Sequence, residues 1–195
     1  MQALQLIDGL SKRNGIFTAE ELKASGLNYY QINKLLDKGI IDRVKRGVYI
    51  SGHTDIEEPD LVQKLIPTGI FCLHSAAMIY DYSTHVPNQY HIAIESKENP
   101  TLPDFPPIKL YYWKKAQLEL GVQTTIHNSS KIRIYDKEKT VCDFLKFRNK
   151  QERIVVNEII RSYLNDEDRD LNKLFQYSEK LSIKSVLQQY LDILL

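Results

Sequence analysis

TAEELKASGLNYYQINKLLDKGIIDRVKRGVYI, residues 18–50, holds two helix starts, two glycine stops and a basic hairpin in one uninterrupted run. Thr18 followed three positions later by Glu21 is a capping box, in which hydroxyl and carboxylate each satisfy a backbone N–H left over at a helix start. Gly26 stands where a left-handed residue ends a short helix, and Leu27 is the apolar residue of the turn. Asn28 and Gln31 repeat the box, so a further helix opens at once and runs to Gly39. Two short helices around a tight turn containing glycine make a helix-turn-helix unit. The runs Ile41-Asp42-Arg43-Val44-Lys45 and Val48-Tyr49-Ile50, either side of Arg46-Gly47, then predict a β-hairpin.

Upstream, Ala3, Leu6, Ile7 and Leu10 recur at i, i+3, i+4, i+7, the stripe of an earlier helix that Asn14-Gly15 stops. A helix, a helix-turn-helix and a basic hairpin in this order predict a winged helix-turn-helix over residues 1–52. On the helix after Asn28, Tyr29, Ile32, Leu35 and Leu36 fall on one side and are expected in the core. Tyr30, Lys34 and Asp37 point the opposite way, flanked by Gln31, Asn33 and Lys38. Amides and cations on an exposed helix can hydrogen-bond base edges and phosphates in a major groove. Arg43, Lys45 and Arg46 on a projecting ribbon can reach phosphates or a minor groove. The same residue types also solvate ordinary helix faces and guard edge strands. The order of elements is what favours DNA, and the candidate DNA-binding set is Thr18, Asn28, Tyr30, Gln31, Asn33, Lys34, Lys38, Arg43, Lys45 and Arg46.

The charge agrees with this. The net charge is only +1, yet residues 1–52 hold eight basic and five acidic residues, against eighteen and twenty in the remainder. A polyanionic partner would therefore meet the first segment. Hydrophobic residues at 43% and charged residues at 26% describe an ordinary globular chain, and no apolar run is long enough to span a bilayer. Without the features of a secretory leader, and with two cysteines, Cys72 and Cys142, far apart and expected as buried free thiols, the expected location is cytoplasmic.

The polar stretch from His53 to Asp60, ending Glu57-Glu58-Pro59-Asp60, reads as a linker, and residues 60–195 as a second domain that opens with a helical piece, Asp60 to Ile66, before Pro67. Ile70-Phe71-Cys72 predicts a short buried strand and Ser75 to Tyr80 a helix. Tyr90, Ile92 and Ile94 alternate with His91, Ala93 and Glu95, the pattern of a half-buried strand. Further strands are expected over Ile108–Trp113, Val122–Ile126 and Lys131–Tyr135. The period then becomes helical: Val141, Phe144 and Leu145; Val156, Ile159, Ile160, Tyr163 and Leu164; Leu171, Leu174 and Phe175; and a last stripe from Ile183 to Leu194 behind a Ser182 or Ser185 cap. Strands followed by helices argue an α+β class: an N-terminal winged helix-turn-helix followed by a mixed α+β C-terminal domain.

Candidate chemistry is sparse. Asp81, Glu95 and Lys97 resemble the acid-and-lysine spacing of metal-dependent nucleases, although strand ends commonly carry charge. The five histidines lack a two-ligand helical spacing, and no phosphate-binding glycine loop occurs. The expectation is a binding protein and not an enzyme, with no cofactor and no metal.

The chain also resembles the AbiEi antitoxins of bacterial type IV toxin–antitoxin systems. The likeness lies in Gly15-Ile16-Phe17-Thr18, Lys34-Leu35-Leu36, Gly39-Ile40-Ile41 and Arg46-Gly47-Val48-Tyr49 of the first segment. It continues in Leu73-His74-Ser75-Ala76-Ala77, in Val86-Pro87, and in Ile132-Arg133-Ile134-Tyr135 followed by Lys139-Thr140-Val141-Cys142-Asp143. An apolar-plus-glycine ending usual after the Ser-Ala helix is Tyr80-Asp81-Tyr82 here. The resemblance implies a repressor that binds inverted repeats in its own operon's promoter, as double-stranded DNA. It further implies neutralisation of a nucleotidyltransferase toxin, AbiEii, without a stable complex, in a system that can abort phage infection. No neutralising residue transfers by name. The alternatives are a plain transcription factor whose second domain senses a ligand or dimerises, and a nuclease using Asp81, Glu95 and Lys97.

Overall fold

A computed structural model describes residues 15–52, 55–127 and 130–194. The helical stripe expected over residues 3–10 lies outside the described residues. The class is α+β, with a three-stranded and a five-stranded sheet in two compact units.

The first unit runs through Thr68 and takes in a later stretch, Pro100–Pro107. Its elements are β1 (Ile16–Thr18), α1 (Ala19–Ala24), α2 (Tyr29–Asp37), β2 (Ile41–Lys45), β3 (Val48–Ser51) and α3 (Glu58–Leu65). Strands β1 and β2 flank β3, both antiparallel to it, with Phe17 opposite Tyr49 and Arg43 opposite Tyr49 on the other side. The register of β2 shifts between Arg43 and Lys45, a bulge that adds twist to the hairpin. Phe17, Leu22, Leu27, Ile32, Leu35, Ile41 and Tyr49 form the core.

Both expected capping boxes are present, on Thr18 with Glu21 and on Asn28 with Gln31. Gly26 takes φ 90°, and the Leu27 N–H reaches back to the Leu22 carbonyl at 3.1 Å, so the turn closes α1 while seating Leu27 in the core.

The break expected at 53–60 falls instead after Thr68. Pro59 sits in the first turn of α3, where its missing N–H costs nothing, and Glu58 and Asp60 complement the positive end of the helix. The same acidic, proline-bearing composition reads as linker or as helix start, and only packing decides. Here α3 packs on β1. The Lys45 ammonium donates to the Leu65 carbonyl at 2.5 Å, and Lys64 pairs with Glu21.

The second unit contains β4 (Ile70–Phe71), α4 (Leu73–Ile79), β5 (Tyr90–Glu95), β6 (Ile108–Trp113), α5 (Lys115–Leu118), β7 (Val122–His127) and β8 (Ser130–Tyr135). Helices α6 (Lys137–Lys146), α7 (Arg153–Asn165), α8 (Leu171–Lys180) and α9 (Lys184–Leu194) follow. The strand order is β6-β5-β4-β8-β7, with β4 antiparallel to β5 and parallel to β8, and β5 parallel to β6. Strand β5 departs from the half-buried expectation: His91 to Ile94 are all buried, so both faces are covered, as befits a strand between two neighbours beneath packed helices.

Helix α6 is the hub, packing against α4, α7, α8 and α9. Eight successive residues, Glu138 to Leu145, are buried, charged ones included. Lys139 donates to both carboxylate oxygens of Asp143 at 2.7 Å. Its ammonium also lies 4.1 Å from the Trp113 ring centroid and 4.0 Å from that of Tyr135. Cys72 and Cys142 are buried free thiols.

Two helices of this unit end on a residue other than glycine in the left-handed region. Asp81 takes φ 56° after α4, with its N–H on the Met78 carbonyl and the Tyr82 N–H on that of Ala77. Ser182 takes φ 57° after α8, with Ile183 bonded back to Ser178. Ser182 therefore closes α8 and does not cap α9, and Ser185 lies inside α9.

Two stability predictions follow from these contacts. Lys139→Met strands a buried carboxylate and should cost about 3–5 kcal/mol, while the double change Lys139→Met with Asp143→Leu should recover most of it. Chemical denaturation midpoints of the two variants decide; a double variant no better than the single one refutes the pairing. Asp81→Gly removes a Cβ from a left-handed site and should raise stability by about 0.5–1 kcal/mol in the same assay.

Candidate nucleic-acid interface

The capping boxes set which side chains of α2 remain available. The Asn28 side-chain oxygen accepts from the Gln31 N–H at 2.9 Å, and the Gln31 side-chain oxygen accepts from the Asn28 N–H at 2.9 Å. A bidentate contact to adenine needs oxygen and nitrogen of one amide together. Gln31 has its oxygen engaged, so of the two amides expected there, Asn33 is the one whose oxygen the cap leaves alone. Lys34 and Lys38 are exposed along the same helix.

Tyr30 is 72% exposed, as expected, but Tyr29 is 66% exposed and does not join the core as its place on the wheel implied. It is the first helical residue, and helical side chains lean toward the N-terminus, so its ring overhangs the end of the packed stripe. Ile32 and Leu35 supply the buried face, with Leu36 partly buried against it. Two exposed aromatics therefore lead the helix, at the end from which a recognition helix enters a groove. The pair Tyr29-Tyr30 directly after a capping asparagine is the sequence signal that a wheel projection conceals.

In the hairpin, Arg43 is exposed with its guanidinium 5.7 Å from the Tyr49 ring centroid, and Arg46 is exposed at the tip beside Gly47. Lys45 differs from its neighbours. It is half-buried, and burial lowers its pKa while its ammonium serves the Leu65 carbonyl. One of its three donors thus holds the hairpin to α3. Thr18 is likewise committed, its hydroxyl oxygen accepting from the Glu21 N–H at 3.1 Å. Partial burial works against ionisation of Glu21, but hydrogen bonds from Lys64 and from the Thr18 N–H outweigh it and hold the carboxyl below its ordinary range. The exposed side chains of both elements include Tyr29, Tyr30, Lys34, Lys38, Arg43 and Arg46, together with the acidic Asp37 and Asp42, and Asn33 is half-buried beside them.

The acid-and-lysine set of the second unit has a structural reading residue by residue. Asp81 is the left-handed residue that ends α4. The Glu95 N–H donates to the Glu98 side chain at 3.4 Å in a turn after β5, and Lys97 is exposed in that turn. Among the described residues no group of three or more His, Cys, Asp or Glu could hold a metal ion, and no helix is long and apolar enough to cross a membrane.

Residues 5–52 match the family model described as "Transcriptional regulator, AbiEi antitoxin". No curated protein matches the chain. Among solved structures, the chain is similar in fold to the RV2827C protein from Mycobacterium tuberculosis, with a TM-score of 0.52 and 13% identity over 98% of this chain and 80% of that one. The segment bearing the helix-turn-helix and the basic hairpin is thus similar to transcriptional regulators of the AbiEi antitoxin family.

Proposed function

We infer that the chain is a DNA-binding regulator whose first unit works as a winged helix-turn-helix on double-stranded promoter DNA, and that it serves as the antitoxin of a type IV system. The observation that carries the reading is the shared exposed surface of α2 and the hairpin, within the stretch that matches the family. In this reading Tyr29, Tyr30, Asn33 and Lys34 enter the major groove, and Arg43 and Arg46 take phosphates or the minor groove. Inverted repeats would present two such half-sites to two copies of the chain. The second unit neutralises a nucleotidyltransferase toxin in the cytoplasm without a lasting complex, and the chain acts through binding and not through a reaction of its own.

The DNA reading is tested on the full chain by titrating operator and random duplexes at several salt concentrations. Arg43→Ala with Arg46→Ala should weaken both duplexes alike and reduce the slope of log K against log salt by about 0.9 for each phosphate no longer neutralised. Asn33→Ala with Lys34→Ala should instead shrink the operator-to-random ratio, at about 1–3 kcal/mol for removal of a bidentate bond to a base. Slope and ratio both unchanged would remove this face from the interface.

The division of labour is tested in cells carrying the partner toxin. The Arg43→Ala, Arg46→Ala, Lys34→Ala variant should fail to repress a promoter reporter yet still restore growth at matched abundance. Loss of rescue with a folded variant would place neutralisation on the DNA-binding face and refute this assignment.

A further inference from the structure

A cleft of about 400 Å³ opens within the second unit, well apart in function from the surface proposed for DNA. That volume suits a small organic ligand better than a bare ion. Its lining comes from four places in the sequence: His74 of α4, the loop after α4 with His85 and Pro87, the strand pair β5 and β6 with His91, Lys109 and Tyr111, and the turn with Lys150 and Gln151. No aspartate or glutamate lines it. Lys109 and Lys150 are exposed at its rim, and His91 is buried at its wall.

The polar groups are held in place. The His74 Nε2 and the Gln151 side-chain oxygen are 2.7 Å apart, so this nitrogen donates. The Tyr111 hydroxyl lies 3.0 Å from His91 Nδ1, and the His91 N–H donates to the Ser75 hydroxyl at 2.8 Å. The rings of His74 and His91 are 5.0 Å apart and those of His74 and His85 are 5.5 Å apart. The loop bearing His85 is pinned to α7, since Glu158 accepts from Ser83 and from both the N–H and the hydroxyl of Thr84. Leu73, immediately before His74, takes φ 44°, a backbone conformation that costs a branched side chain energy and that the surrounding packing enforces.

Three imidazoles and two ammonium groups around one cleft repel one another whenever the imidazoles are charged. Burial first, and then His74, Lys109 and His85, push His91 down to about 3, and burial likewise lowers His74 despite the Gln151 contact. Burial and this mutual repulsion disfavour the charged imidazole at both positions. His74 Nδ1 is buried with no hydrogen-bond partner, and Glu152 is the acidic group that acts on His74 from nearby. A bound anion would offset this repulsion and favour proton uptake by the imidazoles. A metal cation fits poorly, since His74 Nε2 is a donor, His91 Nδ1 is engaged by Tyr111, and the two lysines oppose positive charge.

We propose that this cleft binds a phosphorylated small molecule of nucleotide size, its phosphoryl group taken by Lys109 and Lys150, with the His85 ring and Pro87 against its organic part. The motif fragments around His74 and Val86-Pro87, which the DNA-binding face leaves unused, meet here.

The test titrates the full chain with AMP, GMP, UMP, adenosine and inorganic phosphate, following the histidine Cε1–H resonances by NMR and the heat by calorimetry. A nucleoside monophosphate should bind and move the signals of His74, His85 and His91, assigned through single His→Gln variants. Adenosine should bind at least about tenfold more weakly, and Lys109→Met with Lys150→Met should weaken the nucleotide by a similar factor, since both changes remove charge-assisted bonds. Both lysines are exposed, so the double variant should fold normally, as its unfolding midpoint can verify. Equal binding of adenosine and AMP, an unaltered nucleotide affinity in the double variant, or signals that move only with a single-stranded oligonucleotide would each overturn the proposal.

Discussion

A lysine ammonium held inside the second unit organises most of what surrounds it. Lys139 cannot leave its charge in water, because α6 is covered by four helices and the side chain is buried against the rings of Trp113 and Tyr135. Its three donors are therefore disposed inward, two on Asp143 one turn along the same helix and the third toward the rings of Trp113 and Tyr135. Those rings stack with centroids 5.2 Å apart, so the cation sits against an aromatic pair drawn from two different strands. Burial pushes the Asp143 carboxyl up to about 6 even with the ammonium beside it, as expected where a lone charge would be costly. A second constraint follows at Gly121. A Cβ at that position would lie 2.6 Å from the Lys139 Cβ and 3.1 Å from the Asp136 carboxylate, so the turn before β7 needs glycine for space as well as for its φ of 73°.

The outer polar ring of the same helix start is arranged on similar lines. Asp136 caps α6 by accepting from the Lys139 N–H, and also accepts from the Tyr177 hydroxyl and pairs with Lys173. Glu138 accepts from Tyr163 and from the Asp170 N–H. Burial disfavours the charged Lys173, but Asp136 and Glu138 more than compensate and raise its pKa. Helices α7 and α8 are thus joined to α6 through directional bonds as well as through apolar contact, and this specifies which way round they pack.

The first unit was legible in the sequence because its signals are local. Capping boxes, glycine stops and a two-run hairpin act within four residues of themselves, and each appears where the spacing placed it. The strands and helices of the second unit were also legible by period. Long-range partnership was not. The fate of Lys45 depends on a carbonyl twenty positions away, the role of Asp81 on a backbone angle, and the burial of Lys139 on four helices arriving from elsewhere in the chain. Tyr29 misled for a different reason, since a wheel gives direction around the axis and not the end of the packed stripe. The cleft around His74 and His91 had no sequence signal beyond the motif fragments at His74 and Val86-Pro87, because its wall is assembled from pieces separated by up to 77 positions.

The bond from Lys45 to Leu65 and the pair between Lys64 and Glu21 bear on how such a module can be inherited. The match to the family model covers residues 5–52, whereas the contacts that steady the hairpin and the start of α1 come from α3 beyond it. A recombination junction at 52 would leave the hairpin lysine without its acceptor and the helix-capping glutamate without its counterion. The structural unit is therefore longer than the matched segment, and α3 belongs to it.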